Sequence, residues 1–346
     1  MLNIEDIIGE STFIIAEAGV NHNGNIKLAK ELIDVAAEAG ADAVKFQTFN
    51  ADKLVTKDAP KANYQNETTD KNESQYDMLK NLELSKVDHE KLIKYCKKKN
   101  IKFMSTPFSF DTVDLLEDVD LDLYKIGSSD TNNLPLLKYV AKKNKPIILS
   151  TGMSTLTEVS EAVDTILNKG NDKIILLHCV SNYPAEYENV NLKAMETMCK
   201  AFDLEVGYSD HTLGIEVPIA AVAMGAKVIE KHFTLDKTME GPDHKASLNP
   251  KELEDMVNSI RNIEKALSHP KKQPTINEVE NKKTVRKSLV INKKKTRGDT
   301  VYNTDIEIKR PGTGIAPKYL DIITGMKLMK DINKDMVLKW DDFKDE

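Results

Sequence analysis

Short segments rich in apolar and β-branched residues alternate with amphipathic segments along the first three quarters of the chain. The segments of the first kind are Phe13–Ala18, Ala43–Gln47, Lys102–Ser105, Leu123–Ile126, Pro146–Ser150, Lys173–His178, Glu205–Tyr208 and Ala226–Glu230. The alternation is typical of β–α units that build a parallel sheet. Eight such units predict an α/β fold of the TIM (β/α)8 barrel type.

An open, doubly wound sheet is the competing architecture. It typically carries a GxGxxG turn after its first strand, and Gly19–Gly24 does not match that pattern. Amphipathic helices are predicted at Ile26–Ala39, Lys86–Lys99, Thr155–Asn168 and Ile215–Met224. Gly40, Gly170 and Gly225 follow three of these helices, where glycine commonly ends a helix. The barrel is therefore the favoured architecture.

A long polar insertion, Tyr64–Leu84, separates the second and third predicted strands. It is either a solvated surface excursion or a lid over the mouth of the barrel, because long loops in compact domains often have a function. The sequence favours neither interpretation.

The pattern changes after the predicted helix Pro250–Leu267. The charged stretch Ser268–Pro274 contains two prolines, which is typical of a linker. Beyond it, short predicted strands are separated by turns: Ser288–Ile291, Ile306–Lys309 and Met336–Lys339. We therefore predict a barrel domain at 1–268, a linker at 269–284 and a small β-rich domain at 285–346.

Charge and cysteine content argue against several classes of protein. The formal net charge of −6 disfavours a nucleic-acid-binding protein that relies on bulk positive charge. We expect no signal peptide and no membrane contact, because the longest apolar runs, such as Val217–Met224, are too short to cross a bilayer. Cys96, Cys179 and Cys199 show no CxxC spacing, so we expect neither disulfides nor a zinc ribbon. These features predict a cytoplasmic protein.

Polar side chains are predicted at the carboxyl ends of all eight strands. In a TIM barrel these ends meet at the mouth, where the chemistry takes place. The residues are Glu17 and Asn21–Gly24, Lys45 and Gln47, Ser105–Pro107, Lys125 and Ser128–Asp130, Ser150–Gly152, His178 and Ser181–Tyr183, Ser209–His211, and Glu230–His232. Any one of them would usually be a satisfied structural residue. Burying the whole set without a ligand would be costly, so the set predicts a binding site.

Two kinds of chemistry can be separated within this set. Cations and hydroxyls suited to a phosphate and a carboxylate are offered by Lys45, Thr106, Lys125, Ser128 and Ser209. His211 and His232 follow neighbouring strands, and two imidazoles with carboxylates nearby suit a divalent transition metal. Asp210 and Glu230 are predicted to fix the tautomers of these histidines.

Nine motifs, in a fixed order, resemble the sialic acid synthase family: IAEAGVNHNG, VKFQTF, STPFS, YKIGSSDTNN, ILSTGM, LHCVSNYPA, GYSDHT, IEKHFTLDK and GPDHKASL. Near the C-terminus, VRKSLV and KRPGTGI resemble that family's antifreeze-like (SAF) domain. The resemblance covers essentially the whole chain and is specific because the motifs keep their order. It implies a transferase with a barrel and a C-terminal antifreeze-like domain.

The resemblance also implies an assembly and a set of ligand contacts. The expected assembly is a homodimer in which the small domain of one protomer covers the barrel mouth of the other. One divalent ion, Mn²⁺ in preference to Mg²⁺ or Co²⁺, would be held by His211 and His232. Phosphoenolpyruvate would contact Lys45, Thr106, Lys125, Ser128 and Ser209, with Ser181 close by. The sugar would contact Gln47, Tyr183, Asp243 and Arg310 of the partner subunit.

Two positions depart from the pattern of the bacterial members. Asp130 stands where these members have glutamate in a GSGE motif. Vertebrate-type members, which use a 6-phosphorylated sugar, also have aspartate there, so this departure bears on the identity of the sugar. Ser181 stands where some members have asparagine, which bears on the phosphoenolpyruvate contact.

The expected activity is that of an N-acetylneuraminate synthase. C3 of phosphoenolpyruvate attacks the open-chain aldehyde of N-acetylmannosamine, water captures C2, and phosphate leaves by C–O cleavage. Lys45 and Lys125 hold the anion, while Glu17 and Asp130 are the candidates for proton transfer. Two other acceptors stay open: 2,4-diacetamido-2,4,6-trideoxymannose, which gives N,N'-diacetyllegionaminic acid, and then N-acetylmannosamine 6-phosphate, which gives a 9-phosphate product.

Two different classes of function are also weighed. A class I aldolase would form a Schiff base at Lys45 or Lys125, and borohydride would trap it in the presence of pyruvate. A sugar- or ice-binding module attached to an inert barrel would be no enzyme at all. The polar strand ends argue against this second alternative.

Overall fold

The structure, a computed structural model, describes residues 4–70 and 72–343. The strands of its first unit are β1 (Phe13–Gly19), β2 (Ala43–Thr48), β3 (Lys102–Pro107), β4 (Tyr124–Ile126), β5 (Ile147–Ser150), β6 (Ile174–Cys179), β7 (Glu205–Asp210) and β8 (Val228–His232). All are joined by parallel ladders in the order β3-β2-β1-β8-β7-β6-β5-β4. Because β3 and β4 also lie side by side, the sheet is nearly closed, and the predicted α/β barrel is confirmed.

The α-helices lie mostly between the strands and give the chain its β–α alternation. They are α1 (Ile4–Ile7), α2 (Ile26–Glu38), α3 (Ala51–Leu54), α4 (Asn63–Thr68), α5 (Gln75–Leu82), α6 (Lys86–Lys99), α7 (Phe110–Asp118), α8 (Leu134–Ala141), α9 (Leu156–Leu167), α10 (Tyr187–Val190), α11 (Ala194–Phe202), α12 (Glu216–Ala223), α13 (Pro250–Ala266), α14 (Ile276–Val285) and α15 (Leu320–Ile323). Among the described residues, no helix combines the length and apolar character needed to traverse a bilayer.

Local signals in the sequence set the helix ends. Ser85 and Asp88 form a reciprocal capping box at the start of α6, and Asn249 caps α13 in the same way. Gly40 and Gly225 follow the ends of α2 and α12 with φ of +81° and +100°. Glycine adopts this conformation without the steric cost that a Cβ brings. The glycines therefore end these helices as predicted.

The interior of the barrel changes from apolar to polar along the strands. Near their amino ends, a buried cluster consists of Ile7, Phe13, Ile15, Ala43, Met104, Leu123, Ile148, Ile175, Leu177 and Val228. Successive side chains of a strand point to opposite faces, so residues two positions further along point into the same space. Those residues include Glu17, Lys45, Lys125 and Glu230, all buried. The polar residues of the mouth therefore lie next to a layer of apolar residues in the barrel interior.

A second unit comprises residues 269–346 by its internal contacts. Strands β9 (Ser288–Ile291) and β10 (Ile306–Lys309) form an antiparallel pair with the predicted bounds. Its core contains Leu289, Ile291, Val301, Ile315, Ile323, Leu328, Ile332 and Leu338. This unit therefore has a hydrophobic core of its own.

Two details of the second unit differ from the sequence-based expectation. The predicted strand Met336–Lys339 makes only a one-residue bridge, Val290 to Val337, because its backbone divides its hydrogen bonds between β9 and Ile315. The predicted linker 269–284 contains most of α14, whose Lys283 carbonyl accepts a hydrogen bond from Gly312 N at 2.8 Å. The helix thus belongs to the second unit.

Candidate active site

Two buried lysines lie at the carboxyl ends of the barrel strands. Lys45 Nζ lies 2.8 Å from Glu17 Oε2 and donates to Thr106 Oγ1 at 3.1 Å. The Glu230 carboxylate lies between the lysines, with its oxygens 3.5 Å from Lys45 Nζ and 3.6 Å from Lys125 Nζ. These five side chains, which we call the lysine cluster, come from β1, β2, β3, β4 and β8.

The electrostatics of the lysine cluster suit an anionic ligand. Burial raises the pKa of Glu17 to about 7, although Lys45 opposes this shift. Burial alone would also raise the pKa of Glu230, but Lys125 and Lys45 outweigh it and hold this carboxyl ionised. Burial lowers the pKa of Lys125, and Glu230 opposes that shift only in part. A bound dianion would favour the cationic lysine, so the cluster is better balanced with an anion than without one.

Hydroxyl groups surround the lysine cluster. Ser150 Oγ accepts a hydrogen bond from Lys125 Nζ at 2.7 Å, and Ser209 Oγ donates to Glu230 Oε1 at 3.0 Å. Both serines are buried at strand ends. Ser209 is thus held by Glu230 and Ser150 by Lys125.

A tight cradle forms around Gly152, two residues after the end of β5. Its backbone N donates to Ser128 Oγ at 3.0 Å. A Cβ added to this glycine would come within 2.3 Å of Ser181 Oγ and 3.0 Å of Cys179 Sγ. Ser128 Oγ and Cys179 Sγ are 3.1 Å apart. The two predicted serines are therefore brought together around Gly152, and a side chain at this position would displace their hydroxyl groups.

The two predicted metal-binding histidines also lie together. The ring centroids of His211 and His232 are 5.7 Å apart, and the Tyr183 ring lies 4.1 Å from the first and 5.8 Å from the second. Asp243 Oδ2 lies 3.9 Å from His232 Nδ1. Burial raises the pKa of Asp243 to about 6. Four residues that the sequence placed at the metal or the sugar thus form one group.

Both histidines are neutral in these surroundings. Burial lowers the pKa of each, and His211 and Lys45 lower that of His232 further. His211 Nδ1 lies 2.6 Å from the Val180 carbonyl oxygen. Because a carbonyl only accepts, Nδ1 carries the proton and Nε2 keeps a free lone pair. His232 Nδ1 is buried without a hydrogen-bond partner among the described residues.

These features fit a metal ion with two protein ligands. Neutral imidazole is the form that binds metal, and each ring offers one nitrogen for it. In residues 4–70 and 72–343, no group of three His, Cys, Asp or Glu side chains is arranged to hold an ion. A divalent ion at His211 and His232 would therefore keep most of its coordination positions for water and substrate.

The predicted roles of Asp210 and Glu230 are wrong. Asp210 Oδ1 accepts from Thr212 N at 3.0 Å, and its other oxygen contacts Lys231 Nζ. Glu230 contacts the two lysines of the mouth, as described above. The Val180 carbonyl, which carries no sequence signal, fixes the tautomer of His211 instead.

The insertion Tyr64–Leu84 contributes to a cavity of about 110 Å³ beside the histidines. Gln47, Tyr183, His232, Pro242 and Asp243 line it from the barrel together with Val20, and Gln65, Met78, Leu79 and Leu82 line it from the insertion. Helices α4 and α5 build this part of the insertion. The lid interpretation, which the sequence left open, fits this placement better than a solvated excursion.

Two predicted site residues have only local surroundings in the structure. Asp130 accepts hydrogen bonds from Asn133 Nδ2 at 2.8 Å and from Ser129 Oγ at 3.3 Å, and burial raises its pKa. Arg310 is an exposed residue of the second unit, directly after β10. The hydrogen bonds of Asp130 do not reach the lysine cluster.

Sequence reasoning missed three contributors to the site: Cys179, Met78 and Leu79. Cys179 completes the serine cradle, and its position at the end of β6 was the available signal. Met78 and Leu79 gave no sequence signal, because the pattern of an amphipathic helix in an insertion does not show which surface its apolar side contacts. His178 and His244, which the sequence left unassigned, bind the Val190 carbonyl at 2.7 Å and Thr234 Oγ1 at 2.6 Å.

Buried lysines, hydroxyls and two neutral imidazoles lie together at the carboxyl-terminal mouth of the barrel. This arrangement is typical of the active site of a barrel enzyme, and its cationic groups suit a small anionic substrate. Comparison with known proteins gives the family. Residues 32–272 match the NeuB family, and residues 273–344 match the SAF domain. The chain belongs to the NeuB family.

Relatives and a solved structure support this assignment over nearly the whole chain. The N,N'-diacetyllegionaminic acid synthases of Legionella pneumophila and Campylobacter jejuni are each 48% identical to it, over 95% of this chain and 94% and 99% of theirs. The crystal structure of the N-acetylneuraminic acid synthetase of Leptospira borgpetersenii, in complex with citrate, matches with a TM-score of 0.69 and 38% identity, covering 79% of this chain and 91% of that one. The predicted enzyme, a transferase with a C-terminal SAF domain, is thereby confirmed.

Proposed function

We propose that this enzyme is an N,N'-diacetyllegionaminic acid synthase, which condenses phosphoenolpyruvate with 2,4-diacetamido-2,4,6-trideoxymannose and releases phosphate. The observation that carries the proposal is the 48% identity to two synthases of that name across 95% of the chain. This acceptor replaces N-acetylmannosamine, the first expectation from the sequence. The broader class, a synthase of sialic-acid-type sugars, is common to both.

The lysine cluster supports a role in holding phosphoenolpyruvate. Lys45 and Lys125 would bind the phosphate and carboxylate groups, with Thr106, Ser128, Ser181 and Ser209 as further donors. Charge-assisted hydrogen bonds of this kind are short and strong. Holding the anion rigidly would set its C3 against the aldehyde carbon of the acceptor.

The group around His232 supports a role in binding the sugar. Gln47, Tyr183 and Asp243 would contact its hydroxyl and acetamido groups. His211 and His232 would hold a divalent ion, with Mn²⁺ preferred over Mg²⁺ or Co²⁺, and this ion would supply Lewis acidity toward the aldehyde oxygen.

Proton transfer falls to Glu17 in this proposal. A carboxyl with a pKa of about 7 can give or take a proton near neutral pH. Once the new C–C bond leaves positive charge at C2, Glu17 would take a proton from the water that attacks there. The tetrahedral adduct then loses phosphate by C–O cleavage. Asp130 remains a candidate for the second proton, although its hydrogen bonds are local.

Assembly is a further part of the proposal. We expect a homodimer in which the SAF domain of one subunit brings Arg310 to the sugar site of the other, because a planar guanidinium can hold hydroxyl and acetamido oxygens. Arg310→Ala and Lys125→Met proteins are mixed under subunit exchange and assayed at a phosphoenolpyruvate concentration so low that neither protein alone turns over appreciably. The mixture should then restore up to about a quarter of normal activity, since random mixing recreates one intact site in half of the dimers. Heterodimers without activity would place Arg310 elsewhere.

The acceptor is tested by direct comparison. The purified enzyme is given phosphoenolpyruvate and Mn²⁺ with each of the three candidate sugars, and phosphate release and product mass are measured. We expect the highest kcat/KM with the trideoxy sugar. The highest value with N-acetylmannosamine would make the enzyme an N-acetylneuraminate synthase, and loss of activity after borohydride with pyruvate would instead favour the Schiff-base aldolase.

A further inference from the structure

The cavity beside His232 has two chemically different sides. Its barrel side is polar and includes Gln47, Tyr183 and Asp243. Its insertion side is mostly apolar: Met78, Leu79 and Leu82 line it together with one polar residue, Gln65. A ligand that fills this space must therefore present hydrogen-bonding groups on one side and hydrocarbon on the other.

The apolar side is part of a packed structure. Met78 and Leu82 of α5 form a buried cluster with Val20 and Phe49, and Leu54, Leu79 and Phe108 pack against it. The insertion therefore has its own small core, anchored on residues that follow β1 and β2.

Backbone contacts hold the insertion against the barrel at two more places. Gly241 N, in the segment after β8, donates to the Thr68 carbonyl at 3.2 Å. Gly24 approaches the Asn81 carbonyl so closely that an added Cβ would lie 2.3 Å from its oxygen. Because both contacts use backbone atoms, the apolar side is held in a fixed position over the cavity.

The charges around the cavity restrict its ligand further. The described lining residues include Asp243, His232 and Tyr183 but no lysine or arginine. A phosphate group directed at the insertion side would meet hydrocarbon and no cationic side chain. A hydroxyl directed at the leucines would lose its water without gaining a partner.

We propose that the side chain of Leu79, with Met78 and Leu82, is the specificity-determining surface for the acceptor, selecting a sugar with a methyl group at C6 over one with a hydroxymethyl or phosphate there. This inference rests on the proposed function. An apolar site rejects an analogue that merely adds a hydroxyl by about 100-fold at most. The enzyme should therefore prefer the trideoxy sugar to the counterpart that differs only by a hydroxyl at C6, 2,4-diacetamido-2,4-dideoxymannose, by roughly 10- to 100-fold, and use a 6-phosphate least.

The test measures kcat/KM in Leu79→Asn for the trideoxy sugar and for 2,4-diacetamido-2,4-dideoxymannose, which differs from it only by a hydroxyl at C6. The substitution keeps the approximate size of the side chain and makes the surface polar. We expect kcat/KM for the trideoxy sugar to fall by about 10- to 100-fold and that for the C6-hydroxylated sugar by less than about 3-fold, so that the preference largely disappears. Leu79→Met, which keeps the surface apolar, should retain the preference.

Leu54→Asn is the matched control. Leu54 is also half-buried against the same cluster but does not line the cavity. It should therefore lower the stability of the insertion without changing the ratio of the two kcat/KM values. Phosphoenolpyruvate affinity, measured on each variant, shows that the barrel site is intact.

The outcomes separate the two proposals. If the wild-type enzyme prefers N-acetylmannosamine, both the proposed function and this inference fail. If it prefers the trideoxy sugar but Leu79→Asn lowers both kcat/KM values equally, or if Leu54→Asn changes the ratio as much, only the specificity role of Leu79 is overturned.

Discussion

Both units of the chain bury a carboxylate between two lysines, and the two arrangements differ in how closely the charges are paired. In the barrel, Glu230 oxygens lie 3.5 and 3.6 Å from Lys45 and Lys125. The side chains of these lysines are only 4% and 3% exposed. A second acid, Glu17, competes for the same cations, with its Oε2 2.8 Å from Lys45 Nζ.

The SAF unit pairs its buried carboxylate with lysines at shorter distances. The carboxylate oxygens of Asp305 each lie 2.5 Å from a lysine, Lys293 or Lys295, and Oδ2 also accepts from Tyr302 N at 3.1 Å. The side chain of Lys293 is 59% exposed, so part of the charge stays in water. The Asp305 pairs are therefore closer and less fully buried than those of the barrel.

The difference separates a structural ion pair from a binding site. Buried charges are stable when each is paired closely, as at Asp305. Buried ion pairs at longer distances, with more positive than negative charge, are costly unless an anionic ligand balances the charge. Groups with perturbed pKa values and incomplete pairing are therefore concentrated at functional sites. We therefore expect changes in the barrel cluster to affect substrate binding, and changes at Asp305 to affect stability.

The largest expected effect concerns the two imidazoles at the mouth. His211→Ala or His232→Ala should abolish Mn²⁺ binding, and activity should fall on the order of 100-fold or more, because Lewis-acid stabilisation contributes several kcal/mol. Electron paramagnetic resonance with Mn²⁺ measures binding independently of turnover. Chelation of the wild-type enzyme should give the same loss, reversed by Mn²⁺.

His178→Gln is the matched control for the metal. This histidine also ends a barrel strand, but its Nε2 bonds the Val190 carbonyl. Its Mn²⁺ affinity should equal that of the wild type. Unchanged Mn²⁺ binding in both His211→Ala and His232→Ala would refute the metal assignment.

The next largest effect is expected at Lys125, which has fewer carboxylate partners in the lysine cluster than Lys45. Lys125→Met should raise the KM for phosphoenolpyruvate by roughly 10- to 100-fold, because a charge-assisted contact contributes about 1.5–3 kcal/mol. The KM for the sugar should change much less. The melting temperature should fall only slightly, because Lys45 Nζ remains 3.5 Å from Glu230 and the desolvation of Lys125 is relieved.

A reversed kinetic pattern would assign Lys125 to the sugar. A large drop in melting temperature would also break the comparison, because it would show that the barrel cluster is a structural ion pair like that at Asp305.

The sequence predicted the barrel and most positions of the site, because both follow from short-range patterns. Inward-pointing residues such as Ile15 and Glu17 alternate along the strands, so the polar strand ends identify the mouth from the sequence pattern alone. Which side chains pair with one another inside the mouth is harder to predict from the sequence. Glu230 lies two residues before His232, and alternation directs both side chains into the barrel interior. There the Glu230 carboxylate contacts Lys45 and Lys125 rather than a histidine.

The parts that the sequence missed depend on tertiary packing. Helix α14 was not predicted because it follows a charged, proline-containing stretch and has no buried face. A helix without a buried face has little apolar periodicity. The faces of α5 were likewise undetermined, because the contact of Leu79 with the cavity depends on how the insertion folds back over the barrel.

A smaller effect is expected at the structural ion pair. Asp305→Asn should lower the stability of the SAF unit by about 1–3 kcal/mol near neutral pH, since it removes a charged hydrogen-bond acceptor from two lysines. Burial alone would raise the pKa of Asp305, but Lys293 and Lys295 hold it at about 2. The usual value in unfolded chains is near 3.9.

The sign of the pH dependence follows from that lowered pKa. The stabilisation by Asp305 is fully present above about pH 4 and is lost as the pH falls through its folded value of about 2. Thermal melts of wild type and Asp305→Asn should therefore converge between these limits. Asp321→Asn, at an exposed carboxylate of the same unit, is the control, and an equal shift there would contradict a specific role for Asp305.

The smallest expected effect is the pH dependence of phosphoenolpyruvate binding, and it addresses the second acid that distinguishes the barrel cluster. Below a pKa of about 7, Glu17 is neutral and the cluster carries excess positive charge. Ionisation of Glu17 at higher pH adds a negative charge beside Lys45, so the Kd for the anion should rise, by on the order of three- to tenfold between pH 6.5 and 8.5. The phosphate group is already ionised over most of this range. In Glu17→Gln the charge cannot change, and the Kd, measured by calorimetry without turnover, should be nearly constant. A wild-type Kd that does not vary with pH, or one that varies equally in Glu17→Gln, would mean that Glu17 is held in a single charge state and that the two buried clusters are more alike than their contacts indicate.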